Sequence, residues 1–189
     1  MVERATPLRV LVPCFVFLLW LISFSPWWFS EATIKADHGI GTLDLQFASS
    51  ADHARATLDQ LGSTGRSAYD VFQIVDVLFP LSYALALSGL IWSLWRGVHR
   101  RFVVYLAAIP IAGAVLDYLE NILVRVALHS YPATSSTELS VSVVVTTVKL
   151  VFSYASQLLV VLGLVAGLVR ILWTARRDRD QPSASNLRL

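Results

Sequence analysis

Residues 106–128 read LAAIPIAGAVLDYLENILVRVAL. The stretch is long and apolar enough to cross a hydrocarbon core, which takes roughly 20 residues. Yet it carries Asp117, Glu120, Asn121 and Arg125. A charged side chain at the centre of a membrane helix costs about 2.5–3.5 kcal/mol on insertion scales, so these groups must face protein or water and must have partners. Asp117 and Asn121 are four apart, Arg125 follows four later, and Glu120 stands three after Asp117. Side chains three and four apart share a helix face, so the set forms one polar stripe on an otherwise lipid-compatible helix.

The chain around this stretch has the composition of a polytopic membrane protein. Of its 189 residues, 56% are hydrophobic and 15% charged. Apolar runs at about 8–29, 71–95, 102–128 and 139–173 predict an all-α, four-helix transmembrane bundle occupying residues 1–175, with a short extracytoplasmic strand and helix in 30–70. Residues 176–189 are polar and predict a disordered cytoplasmic tail. A formal net charge of +2 implies no nucleic-acid partner. Its distribution orients the chain instead. Arg4 and Arg9, then Arg96, Arg100 and Arg101, then Arg170, Arg176, Arg177 and Arg179 mark cytoplasmic flanks, so both termini are expected inside a plasma or inner membrane. Trp27, Trp28, Trp92, Trp95 and Trp173 close the runs at interfaces. The basic, apolar start also admits a cleaved signal peptide. Pro26 directly after Ser23-Phe-Ser25 obstructs cleavage, which favours a retained helix. Cys14 stands alone, so no internal disulfide can form.

In the outer segment, Gly41-Thr-Leu-Asp-Leu-Gln-Phe47 alternates apolar and polar residues and predicts a short extended strand. Ser49-Ser50 can cap a helix over 51–61, stopped by Gly62, with Ala54, Leu58 and Leu61 on one face. That face needs a surface: the helix either lies in the interface or covers an opening of the bundle. Pro80 and Pro110 fall inside predicted helices, where each removes a backbone hydrogen bond and can kink.

Two further runs carry polar seams. Gln73, Asp76, Pro80 and Tyr83 are spaced three, four and three apart. Ser142, Thr146, Lys149, Ser153 and Ser156-Gln157 follow the 3.5-residue period of packed helices. At about 1.5 Å per residue, Asp76, Glu120, Lys149 and Asp117 fall roughly 8, 12, 13 and 16 Å below the outer boundary, in one layer. Lys149 is one of two lysines against thirteen arginines, a position that suits a compact ammonium rather than a fork. With Arg125 it gives two cations against Asp76, Asp117 and Glu120, leaving one carboxylate over. The candidate ligand- or proton-binding residues are therefore Asp76, Asp117, Glu120, Asn121 and Lys149, supported by Gln73, Tyr83, Arg125, Thr146 and Ser153. A surplus buried acid is a functional-site signature. The competing reading is a latch, in which these groups only hold helices together.

His53, His99 and His129 lack metal-ligand spacing, so no metal is expected. No P-loop, dinucleotide fingerprint, nucleophile elbow or zinc motif is present, so neither a cofactor nor a reaction is indicated. The expected function is binding of a small amphiphile, lipid or cation between the second, third and fourth runs. The alternatives are a structural subunit, or a proton- or cation-coupled carrier acting as a homo-oligomer; the inverted repeats and glycine-broken helices common in carriers are missing.

Over residues 40–165 the chain resembles a family of small four-helix membrane proteins, mostly bacterial, that have no assigned reaction. The resemblance rests on Leu43-Asp44-Leu45-Gln46-Phe47, the stretch from Gly62 to Tyr69, Asp76 with Pro80 and Tyr83, Asp117-Tyr-Leu-Glu120-Asn121, Tyr131-Pro132 and Thr147-Val-Lys149. It implies the four-helix fold and no chemistry. A weaker analogy links the chain to EXPERA-type sterol isomerases, which also place acids on their second and third helices. This sequence lacks their histidine–glutamate pair on the second helix, which argues against isomerase chemistry.

Overall fold

A computed structural model describes residues 31–47 and 49–180, with side chains to residue 177. Among them run α1 (Glu31–His38), a 3-10 turn (Leu43–Leu45), α2 (Ala51–Asp76), α3 (Leu78–Trp95), α4 (Arg100–Ser130) and α5 (Ser136–Asp180). The first apolar run, Cys14, the signal-peptide alternative and residues 181–189 lie outside the described residues. Three helices, α3, α4 and α5, are long and apolar enough to cross a membrane. The described residues thus hold five helices: the expected run 71–95 is divided, its first turns closing α2 and the rest forming α3, the helix expected over 51–61 runs on to Asp76, and α1 is additional.

Gly39 closes α1 at φ 74°, its N–H bonded to the Lys35 carbonyl at 2.9 Å. This is the left-handed C-terminal turn that glycine adopts at little cost. The strand expected over residues 41–47 does not form. A strand needs a partner strand, and none exists among the described residues. Leu43 to Leu45 coil into a 3-10 turn instead, and the Leu43 N–H is taken by the Tyr69 hydroxyl at 3.1 Å. Burial does not follow the alternation: Thr42, Leu43 and Asp44 are buried in succession, while Leu45 and Phe47 are exposed.

Ser50 caps α2 as expected, its Oγ accepting from the His53 N–H at 3.1 Å. Gly62 does leave helical geometry, at φ 64° and ψ −175°, but the helix resumes at once and runs on to Asp76. Ala54, Leu58 and Leu61 are fully buried. Their face meets Ile34 and Leu43 on one side and Val124, Ala127, Leu128 and Leu139, at the facing ends of α4 and α5, on the other. The segment from α1 through the first half of α2 therefore covers one end of the bundle. Burying a leucine is worth about 1.5–3 kcal/mol, enough to hold a helix that would be marginal alone.

Pro80 explains the break between α2 and α3. It has no N–H to give the Asp76 carbonyl four residues back, and its ring crowds that carbonyl. The chain breaks at Val77, whose N–H reaches only to Ile74 at 3.4 Å, and the Tyr118 hydroxyl covers the Val77 carbonyl at 2.8 Å. Asp76 consequently stands at a kink. Three residues before Pro110, the Ser88 hydroxyl of α3 donates to the Ala107 carbonyl of α4 at 2.8 Å, joining the two helices. At the other end of the bundle, the Trp95 indole donates to the Leu159 carbonyl of α5 at 3.0 Å. Gly163 permits that contact, because a Cβ there would stand 2.9 Å from Leu94 Cβ.

α5 has 45 residues and so extends about 67 Å, against a hydrocarbon core of about 30 Å. It remains helical through residues 176–180, where a disordered tail was expected. Its second half, from Leu158 through Trp173, is apolar and largely exposed, as suits a helix facing lipid.

Candidate functional site

Lys149 of α5 reaches across to α4. Its ammonium donates to Glu120 in a close ion pair and lies 3.5 Å from Asp117 Oδ1. The Thr146 hydroxyl, one turn before Lys149, donates to the other Glu120 oxygen and also lies 3.0 Å from the Ser142 carbonyl. Glu120 is fully buried, and Asp117 and Lys149 nearly so. The seam on α5 and the stripe on α4 thus meet as their spacing predicted, through Ser142, Thr146 and Lys149. Ser153 continues the seam half-buried, while Gln157 is exposed.

Asp76 joins from the kink. Asn121 Nδ2 donates to Asp76 Oδ2 at 3.2 Å, tying α4 to the end of α2. Tyr83 is buried close to Asp117 and Ser153, in hydrogen-bond geometry with neither. Its ring meets Phe79 edge-on, with centroids 5.3 Å apart. Gly113 makes room for it, since a Cβ there would lie 3.5 Å from the Tyr83 hydroxyl.

Two participants were not anticipated. Asp44, at the centre of the 3-10 turn, is buried and accepts from the Tyr69 hydroxyl at 2.8 Å and from Gln73 Nε2 at 2.9 Å. Glu31, at the start of α1, faces the same space. The signal available for Asp44 was an acid set between two leucines in an otherwise amphipathic pattern. Nothing in the sequence marked Glu31. Arg125, counted among the cluster's charges but near enough to the boundary to snorkel, stands apart from it. Its Nε binds Asp70 Oδ1 at 2.9 Å on the partly exposed rim, with His129 Nδ1 3.9 Å from the same carboxylate. One turn of helix suffices to bring Arg125 to the rim, and its long side chain carries the charge to the surface. The sum of two cations against three acids is therefore replaced by a sharper imbalance.

Part of this set borders a partly open cavity of about 210 Å³. Glu31, Asp44, Asp76 and Asp117 supply four carboxylates to its wall, and Lys149 supplies one ammonium. Leu45, Phe72 and Phe79 make the apolar side, and Thr42 completes the polar one. Glu120 is absent from the wall and lies behind Lys149. The volume equals about seven water molecules at roughly 30 Å³ each. The carboxylates are spread over several elements rather than converging: among the described residues, no three acidic, histidine or cysteine side chains are placed to share a metal ion.

Outside the spanning helices the field of this acid group is visible. Burial, then the neighbouring Asp44 carboxylate, push the Glu31 carboxyl above its usual range. Burial and Asp44 likewise hold the Tyr69 phenol well above the ordinary tyrosine value, so that it stays a donor. The polar rim at Asp70 lies six residues, about 9 Å of helix, from Asp76. Exposed Val71, Ile74 and Val75 fill that interval on α2, as Ile122 and Val126 do on α4. The acid layer is thus set inside an apolar belt, close to one end of it.

No protein-family model, curated protein or solved structure matches this chain. What the site can do chemically therefore rests on the geometry above.

Proposed function

We propose that the protein is a multi-pass membrane protein with both termini cytoplasmic, and that its outer-half cavity binds a small amphiphilic organic cation. One observation carries this reading: four carboxylates and a single ammonium line a partly open cavity whose remaining wall is Thr42, Leu45, Phe72 and Phe79. Unbalanced charge in low dielectric is costly, and a cation from outside relieves it. Aromatic faces add cation–π attraction of about 0.5–2 kcal/mol, and the apolar wall accepts the ligand's carbon skeleton. The volume suits a head group or a small amine rather than a whole lipid.

The polar residues divide by role. Glu120, Lys149 and Thr146 form a closed set that joins α4 to α5 and fixes the wall. Asp44, Asp76 and Asp117 present charge to the ligand. The latch reading thus applies to part of the cluster, and the site to the rest.

Asp76→Asn is the direct test, because the amide keeps an oxygen for Asn121. A unit charge about 5 Å from the ligand, at an effective dielectric of about 20, is worth roughly 3 kcal/mol. Affinity for 2-phenylethylamine, measured by calorimetry on the full chain in lipid nanodiscs, should fall about 100-fold with the melting temperature little changed. Unchanged affinity in a folded Asp76→Asn protein would remove the acid wall from the binding reaction.

A further inference from the structure

Two amides flank the acid wall, and both are held the same way round. Gln73 gives its Nε2 to Asp44 Oδ1, and Asn121 gives its Nδ2 to Asp76 Oδ2. Turning either amide over would set its oxygen against a carboxylate, so these bonds fix the orientation. The consequence is that Gln73 Oε1 and Asn121 Oδ1 are buried with no hydrogen-bond partner among the described residues. Gln73 is 1% exposed and Asn121 6%. Thr42 Oγ1, on the cavity wall itself, is also buried and unpartnered, in a residue 1% exposed.

The inventory of the wall is one-sided. Its carboxylates accept and cannot donate, and Thr42 brings its one hydroxyl; the two amide oxygens, acceptors only, belong to residues beside the wall that bond its acids. Of the side chains lining the cavity, donor N–H groups belong to Lys149 alone, and its ammonium is directed to Glu120 and Asp117. Buried acceptors need donors, supplied by water or by a ligand.

Resting on the binding function above, we propose that the ligand is a cation rich in N–H donors, a primary amine or guanidinium carrying an apolar body, and that quaternary ammonium compounds are refused. A trimethylammonium group brings the same charge and a comparable fit to Phe72 and Phe79. It would displace water from the acceptors without replacing the donated bonds. A site built around hydrogen bonds discriminates strongly against an analogue that lacks them. A site built on charge and aromatic rings alone would accept both.

The test compares three probes of common skeleton on the wild-type full chain in lipid nanodiscs, with empty nanodiscs correcting for partition: 2-phenylethylamine, its N,N,N-trimethyl analogue and 2-phenylethanol. The expected result is that the primary amine binds tighter than the trimethyl analogue by on the order of 100-fold, with the alcohol weaker than the amine. Equal binding of the two cations, both tighter than the alcohol, overturns the donor requirement while the cation site stands. Equal binding of all three probes, or of none, overturns both readings. Thr42→Val removes an unpartnered hydroxyl without changing side-chain shape. It should weaken the primary amine and leave the trimethyl analogue unaffected, and the reverse pattern counts against the proposal.

Discussion

Lys149→Met is the perturbation on which the architecture of the buried cluster turns. The substitution keeps most of the side-chain volume and removes the one ammonium, leaving Glu120 and Asp117 buried beside each other. Removing one partner of a buried ion pair typically costs about 3–5 kcal/mol. For a chain of this length each kcal/mol corresponds to about 2–4 °C in melting temperature, so a loss of roughly 6–20 °C is expected. The two acids should not be equivalent. Glu120 is fully buried, makes the closer contact and has no access to the cavity. Asp117 stands 3.5 Å from the ammonium and lines the cavity, where water can reach it. Adding Glu120→Gln to Lys149→Met should therefore restore more stability than adding Asp117→Asn. The Glu120 coupling is expected above about 2 kcal/mol, within the range seen for residues in contact. Thermal unfolding of the two single-acid variants, Lys149→Met and the two double mutants in one detergent completes both cycles. Additive losses in the Glu120 cycle, or a larger rescue from Asp117→Asn, would refute the division between latch and cavity wall.

Gly62→Ala should destabilise by about 1–3 kcal/mol, because φ 64° with ψ −175° is a region reserved for glycine. Since nothing lies within 4 Å of the added methyl, a neutral result by thermal unfolding would show that the helix passes this position without the break. Asp70→Asn removes the rim partner of Arg125 on partly exposed ground and should cost no more than about 1 kcal/mol, less in high salt; a loss as large as that of Lys149→Met would place Arg125 back among the buried charges. Tyr69 carries a phenol pKa raised in the folded state, so its contribution is complete below the unfolded value of about 10 and is lost as pH rises beyond it. Stability of the wild type should accordingly fall more steeply above about pH 10 than that of Tyr69→Phe, and parallel profiles would detach Tyr69 from the Asp44 bond.

How much was legible in the sequence depends on the range of the interaction concerned. Local periodicity announced α3, α4 and α5 and the stripes that meet between them, because a helix face is set by residues three and four apart and an apolar run long enough to cross a bilayer has few other uses. It also placed the Ser50 cap and the consequence of Pro80, each a matter of backbone chemistry within four residues, and marked Gly62 as irregular, though the helix expected to stop there continues beyond it. Lys149 could be paired with Asp117 and Glu120 because equal depths in neighbouring helices follow from counting residues. What tertiary structure alone decided was the identity of the cavity wall. Alternating apolar and polar residues at 41–47 are compatible with a strand or with a turn half-buried against a helix, and the choice fell to Tyr69 and Gln73, more than 20 positions away, which receive Asp44. Arg125 shares its helix face with Asp117, yet its long side chain finds Asp70 on the rim. Glu31 enters only because α1 folds back over the bundle. Charge balance in a buried layer is a sum over every element that reaches it, and a sum of that kind has no local signature in the chain.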